Sequence, residues 1–182
     1  VRSITLSKVS SDAVAADRDK DGVSDSMDDF PDNAAVAKAV KYSYTLAFED
    51  KYPKEGFADF NDAVIKLDLD ELLDSGGSVS GVTVRSQVLA AGSAKSNSFS
   101  ININGTDYLL IDDIKKQLGE RWNTRQKDSY VPGKVNVTEI KFRTAVSRSV
   151  LGAAPYDPFI TVNGARKGHK KNEIHLSFVK TN

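Results

Sequence analysis

The chain has no cysteine. That excludes disulfides, thiolate nucleophiles and thiolate zinc sites. Histidine occurs twice, at His169 and His175, and tryptophan once, at Trp122. Few side chains are therefore available for acid–base or nucleophilic chemistry near neutral pH. No apolar run reaches the length of a membrane span, and the first residues lack a basic-then-apolar leader pattern. Net charge is missing too: 25 Lys and Arg balance 25 Asp and Glu over 182 residues. The whole molecule thus has no bias toward nucleic acid or a membrane surface. GxSxG, HExxH, phosphate-loop and dinucleotide fingerprints are all absent.

What is present is unevenly placed. Residues 12–32 hold eight Asp against Arg18 and Lys20, whereas residues 141–182 hold eight Lys or Arg against Asp157 and Glu173. Inside the acidic front, DRDKDGVSDSMDDFPDN (17–33) places Asp17, Asp19, Asp21, Val23, Asp25 and Asp28 at positions one, three, five, seven, nine and twelve of a twelve-residue loop. Gly22 falls at position six. This is calcium-loop spacing, with Asp in place of the usual Glu at position twelve. Calcium takes six to eight oxygens, alternate residues of a turning loop aim inward, and the glycine permits the bend. Val23 would serve through its backbone carbonyl. The flanks do not supply paired helices: SKVSSDAVAA upstream is a poor helix, and Pro31 breaks the downstream side. Residues 1–16 read as a linker or edge strand. Ala-rich residues 34–40 read as one or two helical turns that close the acidic segment.

From Tyr42 onward, short alternating runs are punctuated by Gly, Asn, Asp and Pro. Runs at 42–50, 62–71, 78–91, 98–104, 106–111, 133–146, 159–164 and 172–179 read as strands. Gly81 marks a possible bulge, and Asn104-Gly105 a tight hairpin turn. Ile114, Leu118 and Trp122 recur every four residues, which predicts one short helix over 112–122. The expected fold is mainly β: an antiparallel sandwich or jelly-roll-like domain over 41–182, preceded by the Asp-rich loop. Apolar strand faces, including Val135 and Val137, are expected to supply the core.

A second acidic grouping flanks the first predicted turn. Glu49 and Asp50 end one strand, and Asp59, Asn61 and Asp62 begin the next. A hairpin return would bring these five oxygen-bearing side chains together. Their spacing alone supports a second calcium site and ordinary turn capping equally. The basic string ARKGHKK offers Arg166, Lys167, Lys170 and Lys171 to an anionic ligand, although a solvated loop accounts for it more simply. No aromatic interleaves with these cations, which argues against nucleic acid as a partner. Adjacent carboxylates such as Asp112-Asp113 allow a glycan hydrolase only formally.

The string 17–33, with its proline at Pro31, resembles a thrombospondin type 3 repeat. That resemblance implies a helix-poor, calcium-wrapped spacer. FED at 48–50 followed by DFND at 59–62, then APYDPF at 154–159 and EIHL at 173–176, resemble in order the motifs of the LruC domain. Phe57, followed by Ala58, stands where that family carries an acidic residue directly after the glycine. The chain also stops at Asn182, where the family runs on, as a short or truncated form would. The resemblance implies an exported or cell-surface bacterial protein without catalytic residues. The reading is a non-enzymatic, Ca2+-binding extracellular module for adhesion, matrix or surface display. Its partner would be an extracellular polysaccharide or another surface protein. A calcium-dependent carbohydrate-recognition module, with exposed Tyr52, Phe57 or Tyr156 beside an acidic site, is the alternative.

Overall fold

The structure, a computed structural model, describes residues 16–52, 59–122, 131–163 and 172–176. Alternation decides the architecture. In β2 (Ala63–Leu73), Ala63, Ile65, Leu67, Leu69, Glu71 and Leu73 are all buried, while the residues between them are half-buried or exposed. A strand with one dry and one wet face must lie on another layer. Two four-stranded antiparallel sheets meet that need and form a β-sandwich. The first runs β1 (Lys38–Phe48), β2, β3 (Val79–Ala90), β6 (Val135–Val146). The second runs β5 (Thr106–Ile111), β4 (Asn97–Ile103), β7 (Asp157–Val162), β8 (Glu173–His175). One apolar core joins them, with Ile65, Leu67, Leu69 and Val84 from the first sheet and Phe99, Ile101 and Ile160 from the second fully buried.

Turn chemistry fixes the registers. Asn104 and Gly105 both have positive φ, 53° and 75°, and close the β4–β5 hairpin as the Asn-Gly pair predicts. At Gly81 the bulge reading holds. Leu72 pairs with Gly81 and Leu73 with Val79, so Ser80 is the extra residue, and its hydroxyl donates to the Leu72 carbonyl. A Cβ at Gly81 would fall 2.6 Å from the Ile140 carbonyl oxygen, so β6 lies too close for any side chain there.

Several expectations change. Residues 34–40 form no helix. Ala37 donates its N–H to the Leu73 carbonyl and β1 begins at Lys38, because sheet pairing outweighs the helical preference of a short alanine run. The helix expected over 112–122 is α1 (Ile114–Leu118), capped by the Asp113 carboxylate on the Lys116 N–H, and Gly119 ends it in a single 3-10 turn. A second short helix, α2 (Arg148–Leu151), was not expected from the sequence. Val135 and Val137 are not core. Strand parity sends Ile140 inward, so the odd-numbered valines face solvent. The basic cluster Arg166, Lys167, Lys170 and Lys171 lies outside the described residues, as does Phe57.

Candidate functional site

The Asp loop is built from short local turns. Asp17 accepts the Lys20 N–H on Oδ1 (2.8 Å) and the Gly22 N–H on Oδ2 (3.1 Å). Lys20 and Gly22 have φ of 63° and 96°, which wraps the chain around the carboxylates. Asp19, Asp21 and Asp28 repeat one pattern. In each, Oδ1 accepts the N–H two residues on, from Asp21, Val23 and Phe30 respectively. In each, Oδ2 is buried without a hydrogen-bond partner. One ligand atom from each of Asp17, Asp19 and Asp21 lies within 4.8 Å of the others. Asp28 is only 8 % exposed. Asp25 behaves differently. Its two oxygens hold the Arg18 backbone N–H and Nε at 2.9 and 3.1 Å, so it would have to leave Arg18 to reach a metal. Carboxylate oxygens left dry and unpaired are costly unless a cation or proton satisfies them. The donor set is all oxygen, which suits a hard cation such as Ca2+.

This loop is fastened to the sandwich. Asp29 donates its N–H to the Ala37 carbonyl (2.9 Å) and accepts the Ala39 N–H on its carboxylate (3.1 Å). Val36 and Ala37 are buried beside it.

The second acidic grouping is assembled by the β1–β2 ladder, whose last pair is Phe48–Ala63. Here Asp62 Oδ2 accepts the Asp50 N–H at 2.8 Å, Glu49 Oε1 accepts the Phe60 N–H, and Asp59 Oδ2 accepts the Asn61 amide at 2.7 Å. The buried Asp50 takes the Ser93 hydroxyl at 2.5 Å and faces Lys95 at 3.6 Å. The Asn61 carbonyl receives the Gly92 N–H. All five residues therefore meet, and each is engaged in holding the turn. The two acidic groupings sit at opposite ends of β1, about 30 Å apart along the strand, so one ion cannot serve both.

Burial, followed by the negative charge of Asp62, pushes the Glu49 carboxyl up to about 7. Burial also raises Asp62. A carboxyl raised in the folded state contributes stability that is complete below its ordinary value near 4.5 and lost as pH climbs through 7. In chelator, the unfolding free energy should therefore fall between about pH 5 and 7.5 more steeply for the native sequence than for Glu49→Gln. Gln keeps an acceptor for the Phe60 N–H. Since Glu49 is half-buried, solvent holds the difference to about 1 kcal/mol or less. Urea titrations across this pH range measure it, and parallel curves for the two proteins would refute it.

Sequence reasoning missed a third grouping. Glu71 is fully buried on β2. Its Oε1 accepts the Tyr156 hydroxyl at 2.6 Å, and its Oε2 faces the Tyr42 hydroxyl at 3.4 Å and Arg148 Nη2 at 3.1 Å. Arg148 also donates to the Tyr42 oxygen. Burial, then the Glu71 hydrogen bond, lifts the Tyr156 hydroxyl far above the usual phenol range. Tyr156 is thus a packed residue and no exposed aromatic platform. The signal was legible in parity: Glu71 shares the inward phase of Leu67 and Leu69. His175 stacks on Phe159 with centroids 4.7 Å apart and bonds Asp157 at 2.8 Å.

Among the described residues no helix is long and apolar enough to cross a membrane. Searches of curated proteins and of solved structures find no match to this chain. Residues 106–182 match a family model described as a domain of unknown function, DUF4842. The match covers less than half of the chain. It takes in β5 and β7 but leaves out β4, the strand hydrogen-bonded between them, so the folded unit extends beyond the matched segment.

Proposed function

We propose that residues 17–28 bind Ca2+ and that the chain is a non-enzymatic, exported bacterial module for adhesion, matrix building or surface display. In this reading a thrombospondin-type loop leads into an LruC-like β domain. The observation that carries the metal assignment is the trio of buried, unpartnered Oδ2 atoms on Asp19, Asp21 and Asp28, beside the Asp17–Asp19–Asp21 grouping. Asp17, Asp19, Asp21 and Asp28 would hold the ion with the Val23 carbonyl, and Asp25 would join after release from Arg18. Binding to the native state adds stability by mass action, about 2.7 kcal/mol at free calcium a hundredfold above Kd. Calorimetry with millimolar calcium should show saturable heat, and thermal unfolding should shift upward. Asp19→Ala with Asp21→Ala should abolish both effects. Absence of heat and of any shift in the native chain would overturn the assignment.

For the 49–62 grouping we infer turn capping, because its carboxylates already accept hydrogen bonds within the turn. A carbohydrate-recognition role keeps Tyr52, which is 55 % exposed, but loses Tyr156 to Glu71.

A further inference from the structure

A cavity of about 180 Å3 opens on the seam where β1, the edge of one sheet, faces β8, the edge of the other. Ala47, Phe48, Ile174 and Leu176 give it apolar walls. Two aromatic side chains, Tyr52 and Phe60, also line it while remaining 55 % and 58 % exposed. Phe60 thus adds its exposed ring to the apolar walls and enlarges the apolar patch around the hollow. Glu49 and His175 complete the lining. Phe60 adopts a φ of 51°, uncommon for a bulky residue, and its N–H is held by the Glu49 carboxylate. The acid therefore positions the aromatic next to it.

Charge narrows the choice of occupant. Of the grouped carboxylates Glu49, Asp50, Asp59 and Asp62, Glu49 lines the cavity, and Lys95 is paired with Asp50. Against Lys51 and Lys95 the surplus is still negative, and the charges of Asp62 and Asp59 favour a cation beside Glu49. A sugar would need a ring of hydrogen-bonding groups. This lining is mostly apolar, and His175 is already engaged by Asp157. A hydrated metal ion would make no use of the two aromatics. Aromatic faces beside a carboxylate over an aliphatic floor are the chemistry that recognises alkylammonium groups.

We propose that this seam cavity binds an organic ammonium group on an aliphatic stem. The cation sits among Tyr52, Phe60 and Glu49, and the stem lies against Ala47, Ile174 and Leu176. The site goes beyond the calcium reading and does not depend on it, since the Asp loop is at the other end of β1.

The test is an amide NMR titration of the full chain in saturating calcium, so that failure of the loop assignment does not enter. Butylammonium, N-acetyl-lysine methylamide and neutral pentanol are compared. Both ammonium compounds should shift resonances of residues 47–52, 60 and 174–176 with at least about fivefold tighter binding than pentanol. Phe60→Ala and Glu49→Gln should each weaken that binding about threefold or more. Tighter binding of the lysine compound than of butylammonium would name a polypeptide lysine as the source, and the reverse would name a free amine. Equal binding of pentanol, or full retention of affinity in both variants with native spectra, would overturn the proposal.

Discussion

Glu71→Ala should lower the unfolding free energy by about 3–5 kcal/mol, the usual cost of removing one partner from a buried charge network. The carboxylate is fully enclosed and accepts from Tyr156 at 2.6 Å while facing Arg148 at 3.1 Å. Its removal leaves a phenol and a guanidinium without the acceptor they were folded around. The damage is not confined to one strand. Tyr42 belongs to β1, Arg148 to α2, and Tyr156 to the turn into β7. Glu71 thus ties β2 of one sheet to the approach to β7 of the other. With total stabilities of about 5–15 kcal/mol for ordinary domains, this variant should sit close to unfolding at ambient temperature. Glu71→Gln retains an acceptor and should lose less. Urea denaturation of the three proteins gives the ranking, and a loss below about 1 kcal/mol for Glu71→Ala would mean that the network contributes little. Replacing Glu71 by Leu together with Tyr156→Phe should recover part of the loss, because the buried acid–phenol pair becomes apolar while Arg148, whose side chain is 47 % exposed, can turn to solvent.

Phe99→Ala should cost a similar amount, about 3–5 kcal/mol, by a different route. Phe99 is fully buried on β4, with Ile111 of β5 and Ile160 of β7 as its ladder partners. It meets Phe48 of the opposite sheet edge-to-face, with centroids 6.1 Å apart. Truncation leaves a void between two sheets whose spacing is set by their other side chains, so collapse is limited and most of the cavity cost remains. Phe99→Leu should cost much less, about 1–1.5 kcal/mol. The denaturant midpoint should move while the slope stays constant. A loss below about 1.5 kcal/mol for the alanine variant would show that the sheets close on the gap.

Strands such as β2 were readable because they bury only one face, and alternation survives in the chain as a period of two. Leu67 and Leu69 and the Asn104-Gly105 turn needed no tertiary knowledge, but the sequence put Val64 with those leucines only partly in phase, whereas Ile65 is the residue that shares their buried face. Reading failed where tertiary pairing overrode local preference. The alanines of 34–40 prefer helix, yet the Leu73 carbonyl takes the Ala37 N–H and β1 begins. Parity was misread on β6, where Val135 and Val137 look like core until Ile140 fixes the phase. Of the candidate site, the Asp17, Asp19 and Asp21 grouping was plain from spacing because neighbours in sequence make it. The convergence of Glu49 with Asp62 was accessible through the hairpin. The seam cavity was not, since Phe60 and Ile174 are more than a hundred residues apart and only the facing of β1 and β8 joins them.

The Asp29 fastening has a consequence for protease resistance. Acidic, glycine-containing loops are natural targets for cleavage, because a protease needs several residues in extended form. Asp29 is bonded to Ala37 and Ala39, and Ala37 in turn to Leu73. Residues 29–39 can therefore be presented for cutting only when the start of β1 peels from β2. Cleavage there would follow the opening equilibrium of the sheet margin rather than the fraying of a tail. The lifetime of the acidic loop becomes a property of the β domain on which it is mounted.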